Sequence, residues 1–251
     1  MTVIFLAWSG FSAIAAEPPP DAVTSDVAPV TTTSSDEDEE FEDLLEEDAA
    51  GPPISDPLES FNRGMFWFND KLYFYVLKPT VKVVRYIPED VRVCFSNFVH
   101  NLTTPVRFLN AVFQGKIHDA GNEFGRFMVN TTLGIGGLFD PAKKYGKLLP
   151  KEEDFGQTMG TWGIGNGAYL VIPFVGPTTV RDGFGDVVDG TWNPLNIYLD
   201  NIEYIEARVV DTVNGLSLDK DSYEAIKQNS LDPYLFIRDA YVQNRNSKTL
   251  Q

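Results

Sequence analysis

Reactive side chains are few in this sequence, and none stands at a spacing that catalysis requires. Cys94 is the single cysteine, and its apolar helical surroundings are typical of a packed thiol rather than a reactive one. The two histidines, His100 and His118, form no metal-ligand pattern such as H-E-x-x-H, and no G-x-S-x-G turn supplies a serine nucleophile. We therefore expect no enzymatic activity, no catalytic residue, no metal and no cofactor.

Two other patterns resemble ligand sites. Glycine alternates with other residues from Gly163 to Gly167, but no strand precedes this run and its spacing differs from that of dinucleotide-binding loops. Asp182, Asp186 and Asp189 could hold a cation. Arg181 lies beside them, however, and favours the alternative that these carboxylates cap a helix and form salt bridges. We predict the second arrangement.

The stretch Phe155–Gly190 is apolar, aromatic and rich in glycine at once. Thirteen of the 20 glycines lie between Gly134 and Gly190. Glycine at this density disfavours regular helix or strand, and it lets the backbone approach a neighbour closely. We therefore predict irregular backbone packed against an apolar neighbour, which is either protein or lipid.

Ordered structure is predicted to begin at Asp56, where Asp56-Pro57 has the form of a helix start with the carboxylate as N-cap. The segment that follows is apolar around nearly its whole circumference, which is typical of a helix that is buried or lies in a membrane. Pro79 then begins a shorter segment, from Thr80 to Ile87. The membrane-facing residues predicted for the first helix are Phe61, Met65, Phe66, Trp67 and Phe68.

Short amphipathic helices separated by proline and glycine are predicted along most of the remaining chain, so the fold class is mainly α with no sizeable sheet. In the last helix, one face is predicted to carry Tyr234, Ile237 and Tyr241. The predicted segments start at Pro88 and Thr104, run over Asp119–Thr131, Asn201–Val213 and Asp219–Lys227, and end with a helix that starts at Asp232-Pro233.

A hairpin is predicted between Val129 and Pro150, with a turn at Asp140-Pro141. Its loop combines three glycines with four apolar side chains, which we expect to face an apolar surface. Two interpretations stay open: a helix end followed by a loop packed on the core, or a hinge that lets the hairpin shift. The loop residues are Leu133, Gly134, Ile135, Gly136, Gly137, Leu138 and Phe139.

The charge is distributed very unevenly. The formal net charge is −16, but residues 1–55 contain 13 acids and no lysine or arginine, which leaves 23 acids against 20 bases from Asp56 onward. No basic face is evident in the sequence, so nucleic acid is not an expected partner.

Three regions follow from these patterns. Residues 1–16 form an apolar stretch that ends in Ala13-Ile14-Ala15, which predicts a cleaved export signal. Residues 17–55 are rich in proline, serine, threonine and acids, so we expect a disordered linker. Residues 56–246 form the predicted helical domain.

Several of these passages together carry a family resemblance. Asp56-Pro-Leu-Glu-Ser-Phe-Asn-Arg63, the glycine-rich 155–190 stretch, Ser96–Phe98, the run 126–140 and Asp232-Pro233-Tyr234 resemble the MlaA (VacJ) family of outer-membrane phospholipid-handling proteins. So long an ordered set of motifs, from about Asp56 to Tyr241, is highly specific.

The resemblance implies an all-helical ring that lies in the inner leaflet of the outer membrane. An amphipathic channel through the ring would pass mislocalised outer-leaflet phospholipid to a periplasmic lipid-carrier protein. Trimeric porins are the implied membrane partners, and Asn130–Tyr145 matches the family's helical hairpin beside the channel. Members are often lipid-anchored through a cysteine after the signal. No cysteine precedes Cys94 here, so we expect a cleaved signal without acylation and a location on the periplasmic side of the outer membrane.

Physical chemistry agrees with this interpretation. No run of 18 apolar residues occurs from Asp56 onward, yet 32 residues of the chain are aromatic, and helices lying in the plane of an interface satisfy both facts. A soluble periplasmic carrier of an apolar ligand is the main alternative, and a structural porin-associated protein is another. A high-salt wash distinguishes the soluble carrier, which would be released from membranes, from a membrane-associated transport protein. Co-purification of lipid distinguishes the transport protein from a purely structural one.

Overall fold

The computed structural model describes residues 54–219 and 221–250. The predicted export signal and nearly all of the predicted linker lie outside these residues, so both stay predictions.

The first helical run is continuous across Pro79, although the sequence predicted a break there. Helix α1 spans Glu59–Leu72, a π-helical turn follows over Tyr73–Leu77, and α2 spans Lys78–Val84. The backbone N–H of Lys78 bonds the carbonyl of Tyr73, five residues back. Because proline has no N–H to donate, this wider turn lets the helix pass Pro79 without a break.

The sequence predicted Asp56 as the N-cap of this helical run, and that prediction is wrong. Helix α1 begins at Glu59 with Leu58 in the cap position. The Asp56 carboxylate instead accepts a hydrogen bond from Asn62 Nδ2 at 2.8 Å and another from the Tyr234 hydroxyl. Its role is therefore to join the first helix to the last one.

The remaining helices follow the predicted proline and glycine boundaries closely, with two differences in the last third. Helix α10 runs five residues beyond the predicted end, and α11 starts late because Asp221 has a positive φ of 59°. The helices are α3 (Glu89–Leu102), α4 (Thr104–Phe113), α5 (Ile117–Thr132), α6 (Pro141–Lys144), α7 (Phe155–Thr161), α8 (Val180–Trp192), α9 (Pro194–Tyr198), α10 (Asn201–Leu218), α11 (Ser222–Asn229) and α12 (Pro233–Leu250).

The glycine-rich stretch is more regular than predicted. It contains α7, α8 and an antiparallel hairpin of β1 (Tyr169–Ile172) and β2 (Gly176–Thr179), in which Tyr169 pairs with Thr179. Its glycines serve close helix packing: a Cβ added at Gly185 of α8 would lie 2.3 Å from the backbone nitrogen of Gly156 in α7. Contact between helix backbones, and not irregularity, explains this glycine.

Contacts between helices close a circuit. Helix α10 packs on α3, α3 on α4, α4 on α7, α7 on α8, α8 on α9, and α9 on α10. Helix α2 packs on α10, the β-hairpin lies against α1, α8 and α12, and α12 also packs on α7. The fold is therefore mainly α, with a ring-like order of packed helices and one two-stranded sheet.

Two apolar clusters hold the last helix to this circuit. One joins the π turn, α2, α10, α11 and α12 through Tyr73, Val81, Val213, Leu216, Tyr223 and Ile237. The other joins β1 to α12 through Tyr169, Val171, Tyr234, Tyr241 and Val242. The predicted face of Tyr234, Ile237 and Tyr241 is thus confirmed as buried.

Candidate functional site

Large apolar side chains are exposed on nearly every element of the circuit. In a water-soluble protein single exposed apolar residues are ordinary, but contiguous ones mark a surface that meets another apolar body. The exposed set includes Phe61, Trp67, Val76, Val83, Ile87, Val91, Phe98, Phe113, Ile117, Phe124, Met128, Leu133, Ile135, Phe139, Trp162, Phe184, Ile197, Ile202, Val210 and Phe236.

The buried faces of α4, α5, α7 and α8 are largely polar. Between α4 and α5, Arg107 Nε lies 2.9 Å from Glu123 Oε2, and Glu123 is fully buried. Arg107 also donates to the carbonyl of His100 and to the hydroxyl of Thr104. Burying charges is tolerable only when they are paired and hydrogen-bonded in this way.

A second polar layer joins α4, α7 and α8. Thr158 and Asn110 are fully buried, and the Thr158 hydroxyl donates to Asn110 Oδ1 at 3.0 Å. Asn110 Nδ2 in turn donates to Asp189 Oδ1 at 2.7 Å, and the backbone N–H of Phe155 donates to Asp189 Oδ2 at 2.8 Å. Helices α4, α5, α7 and α8 are therefore joined by polar contacts on their buried faces, while this part of the circuit carries large apolar side chains outside, the reverse of the usual soluble pattern.

The five predicted membrane-facing residues divide into two groups. Phe61 and Trp67 are exposed, with 52% and 62% of their surface accessible. Met65 and Phe66 instead pack against the cluster of β1 and α12, where Phe66 meets Tyr234 edge-on. The remaining residue, Phe68, packs edge-to-face on Phe174. The outward role therefore fits Phe61 and Trp67, and the structure turns Met65 and Phe66 to the protein interior.

The predicted hairpin is formed by α5, a turn over residues 133–139, and α6. All four apolar side chains of the turn are exposed, led by Leu133 at 74% and Ile135 at 65%. Ile135 has a φ of 55°, and Gly136 and Gly137 also have positive φ. A β-branched residue in the left-handed region is a genuine outlier, so the turn holds Ile135 outward against its own conformational preference.

Hydrogen bonds anchor this turn to its neighbours. Asn97 Nδ2 donates to the carbonyl of Leu138 at 3.3 Å, and Asn101 Nδ2 donates to the hydroxyl of Thr131 at 3.0 Å. On the other side, the Asp140 carboxylate accepts from Arg126 Nη2 at 2.8 Å and from Asn130 Nδ2 at 3.0 Å. The base of the turn is therefore fixed, while its apolar tip is exposed.

The three glycines of the turn have different surroundings. A Cβ at Gly134 would lie 2.4 Å from the carbonyl oxygens of Asn130 and Phe139, and one at Gly137 would lie 2.4 Å from Asn101 Cβ. A Cβ at Gly136 would meet no atom within 4 Å, so its φ of 71° is the only constraint there. A substitution of Gly136 by alanine would therefore test the backbone freedom of the turn without creating a steric clash.

Asp182 forms the predicted salt bridge with Arg181, and Arg245 adds a second partner that sequence reasoning missed. Arg245 of α12 lies 2.9 Å from Asp182 Oδ1 and 2.6 Å from Asp154 Oδ2, and Arg181 lies 3.1 Å from Asp182 Oδ1. Asp182 also accepts from the Tyr241 hydroxyl at 3.0 Å. This network holds α12 against α7 and α8.

The other two acids of α8, Asp186 and Asp189, have raised pKa values. Burial raises the pKa of Asp189 to about 7, against the lowering effect of its bonds from Phe155 and Asn110. Burial, followed by repulsion from Asp154, raises the pKa of Asp186 well above its ordinary value. Within the described residues, no group of three His, Cys, Asp or Glu side chains could hold a metal ion.

The candidates for reactive chemistry lie apart from one another. Burial, together with the positive charges of Arg107 and Arg126, lowers the pKa of His100 to about 3, so this imidazole is neutral near pH 7. His118 is 95% exposed and Cys94 is half-buried. The structure brings none of the three together as a catalytic set.

Sequence reasoning missed the polar interior and a basic segment after the hairpin. Glu123, Arg126 and Asn130 recur at spacings of three and four residues, which was a readable signal of one polar helix face. In the same way Lys143, Lys144 and Lys147 form a short basic run without an acid between them.

No helix in the described part of the chain combines the length and the hydropathy that a membrane-spanning segment requires.

Comparison with known proteins matches this fold and sequence over most of the chain. The intermembrane phospholipid transport system lipoprotein MlaA of Escherichia coli (strain K12) is 37% identical over 204 residues, which cover 76% of this chain and 77% of that protein. The protein of the same name from Haemophilus influenzae is 33% identical over 206 residues, covering 77% and 79%.

A solved structure agrees in three dimensions. It is described as the structural basis for maintenance of bacterial outer membrane lipid asymmetry, and it superposes with a TM-score of 0.70 at 38% identity, covering 78% of this chain and 99% of the other. The family model described as MlaA lipoprotein matches residues 54–248. This chain belongs to the MlaA lipoprotein family.

Proposed function

We propose that this protein is an outer-membrane phospholipid transport protein. It removes mislocalised phospholipid from the outer leaflet and passes it through an amphipathic channel to a periplasmic lipid-carrier protein, which maintains lipid asymmetry. The observation that carries the proposal is the reversed polarity of helices α4, α5, α7 and α8: paired polar side chains such as Arg107 and Glu123 are buried, and large apolar side chains are exposed outside.

The reversed polarity suits a position in the inner leaflet of the outer membrane. Apolar groups gain nothing from water, so a ring of short helices with apolar outer faces is stable where acyl chains surround it. A phospholipid headgroup crossing an apolar layer needs polar partners, because an unpaired polar group there costs several kcal/mol, roughly 2–7. A ring that is polar within and apolar without meets both demands.

Two partners and one movable part belong to the same proposal. A trimeric porin holds the ring in the outer membrane, and a periplasmic carrier accepts the lipid on the other side. The turn over residues 133–139 borders the lipid path, where its exposed apolar tip and positive-φ glycines support a gating role. Export by a cleaved signal completes the proposal for residues 1–16.

The test combines location with transport in a Gram-negative host that lacks its own member of the family. Expression of the full chain is expected to lower the amount of phospholipid in the outer leaflet, and the protein should stay in the outer-membrane fraction after a high-salt wash. Release by salt would favour the soluble carrier of an apolar ligand. Retention in membranes without any change in outer-leaflet phospholipid would favour a structural porin-associated role.

A further inference from the structure

A basic patch follows the hairpin turn directly. Lys143, Lys144 and Lys147 are exposed, and none of the three forms an ion pair with any residue of the described ranges 54–219 and 221–250. The Lys144 ammonium group lies 5.3 Å from the ring centre of Tyr145, which is 75% exposed. Residues 141–151 contain no acid, in a chain whose net charge is −16. The three lysines therefore concentrate positive charge in a segment where the described residues supply no salt-bridge partner for them.

The backbone of this patch is strained at its last lysine, Lys147. Lys147 has a φ of 52°, in the left-handed region where glycine or asparagine ordinarily ends a helix. The carbonyl of Ala142 accepts the N–H of Leu148 at 3.1 Å and fixes this conformation. A lysine at such a position is unfavourable for the fold, so its presence points to a use for its side chain.

The patch and the apolar turn are attached to one support. Asn130 of α5 accepts the N–H of Ala142 at 3.0 Å, and Arg126 of α5 pairs with Asp140, the residue between the turn and α6. One short segment, residues 133–147, thus carries the exposed apolar side chains of Leu133 and Ile135 and three exposed lysines. That combination matches the boundary between acyl chains and phosphate groups of a lipid leaflet.

We propose that Lys143, Lys144 and Lys147 bind the headgroups of anionic phospholipids and make this protein select anionic over zwitterionic phospholipid. The inference rests on the proposed function and adds to it the class of lipid. Its physical basis is that each lysine near an anionic lipid surface strengthens binding roughly fivefold, whereas a zwitterionic headgroup offers no net charge.

The experiment measures which lipid co-purifies. Full-length protein in detergent is incubated with mixed micelles that contain equal amounts of phosphatidylglycerol and phosphatidylethanolamine, then re-purified, and the bound lipids are quantified. We expect phosphatidylglycerol to exceed phosphatidylethanolamine several-fold at low salt, with the ratio falling toward one at 0.5 M salt, where charges are screened beyond about 4 Å.

Matched variants assign the preference to the patch. Substituting Lys143, Lys144 and Lys147 together by glutamine should bring the ratio close to one, whereas Lys71→Gln with Lys82→Gln removes lysine charge from α1 and α2 and should leave the ratio unchanged. Lys144→Arg with Lys147→Arg should retain the preference. Lys147→Gly removes the strain together with the charge, so it should keep or raise the melting temperature while lowering the ratio.

The outcomes separate this inference from the proposed function. Phospholipid bound at a ratio of one in the wild type, or a ratio that falls equally in the α1 and α2 control, would overturn the headgroup selection and leave transport standing. Absence of any bound phospholipid in the wild type would overturn the proposed function itself.

Discussion

Asn62 and Asn69 lie seven residues apart on α1, and each amide side chain bonds both ways with the backbone of the β1 region. Asn62 donates to the carbonyl of Tyr169 at 3.0 Å and accepts the N–H of Val171 at 2.9 Å. Asn69 donates to the carbonyl of Ile172 at 3.0 Å and accepts the N–H of Phe174 at 2.9 Å. Seven residues are two helical turns, so one face of α1 acts as the missing neighbour strand of a two-stranded sheet.

Asn62→Ala should lower the free energy of unfolding by about 3 kcal/mol, because it leaves the buried Tyr169 carbonyl and Val171 N–H without a partner. Thermal or denaturant unfolding of the detergent-solubilised protein measures this. Glu59→Ala, which removes an exposed pair with Arg63 on the same helix, should cost about 0.5 kcal/mol or less. Equal effects of the two substitutions would contradict the pairing role of Asn62.

Removal of Arg245 is expected to detach the last helix. Arg245→Met leaves the buried carboxylate of Asp182 with Arg181 as its remaining ion-pair partner and removes the ion pair of the partly exposed Asp154, which should cost about 3 kcal/mol. Limited proteolysis should then cleave α12 first. Lys248→Met, three residues on, removes only a 3.7 Å contact with the exposed Glu152 and serves as the control. Unchanged protease resistance in the Arg245 variant would show that other contacts suffice.

Stability should depend on pH through the acids of α8. The pKa of Asp186 and Asp189 is raised in the folded protein, to about 7 for Asp189, so the fold favours their protonated forms. The stabilisation is therefore complete below the ordinary carboxyl pKa, near 4, and is lost as pH rises through about 7.

Asp186→Asn is the clean test of this linkage, because the hydrogen bonds from Asn110 and Phe155 go to Asp189 and not to Asp186. We expect the substitution to raise the melting temperature at pH 8 and to change it little at pH 4. Glu206→Gln, on an exposed position of α10, should have no such pH-dependent effect. A melting temperature of the Asp186 variant that follows wild type at every pH would refute the linkage.

Substitutions at the hairpin glycines distinguish a gating role of the turn from a purely packing role. Gly137→Ala should reduce abundance, because its Cβ would collide with Asn101. Gly136→Ala meets open space, so its direct cost is that of a positive φ, about 1 kcal/mol. If the turn gates the lipid path, Gly136→Ala changes lipid flux at nearly unchanged abundance and melting temperature. Measuring outer-leaflet phospholipid and protein level for both variants decides this, and flux that simply tracks abundance would eliminate the gate.

Outward-facing aromatics should matter for the membrane and not for the fold. Trp67→Glu should leave the melting temperature in detergent within a few degrees of wild type but reduce the fraction retained in membranes, since charge in the apolar layer costs about 2–3 kcal/mol. Phe66→Glu, on the buried side of the same helix, should unfold the protein instead. Full membrane retention of the Trp67 variant would place this residue outside the lipid contact.

Local sequence determined much of the helical framework. Pro88, followed by two acids, starts α3 where predicted, and the spacing of Tyr234, Ile237 and Tyr241 correctly gave the buried face of α12. Asp140-Pro141 likewise marks the return of the hairpin. These features depend on neighbours within one or two helical turns, so they are readable from spacing and capping chemistry alone.

Only the tertiary structure decided what the polar residues and glycines do. The backbone partners of Asn62 in β1 are more than 100 residues away in sequence, and the carboxylate partners of Arg245 are 63 and 91 residues away. The sequence predicts irregular backbone at glycines such as Gly185, but Gly185 lies inside α8. A glycine is required there because α7 approaches too closely for any side chain. Which face of each helix turns inward depends on the surrounding medium as well. A spacing pattern defines two faces, and only packing shows that α4 and α5 bury their polar ones here.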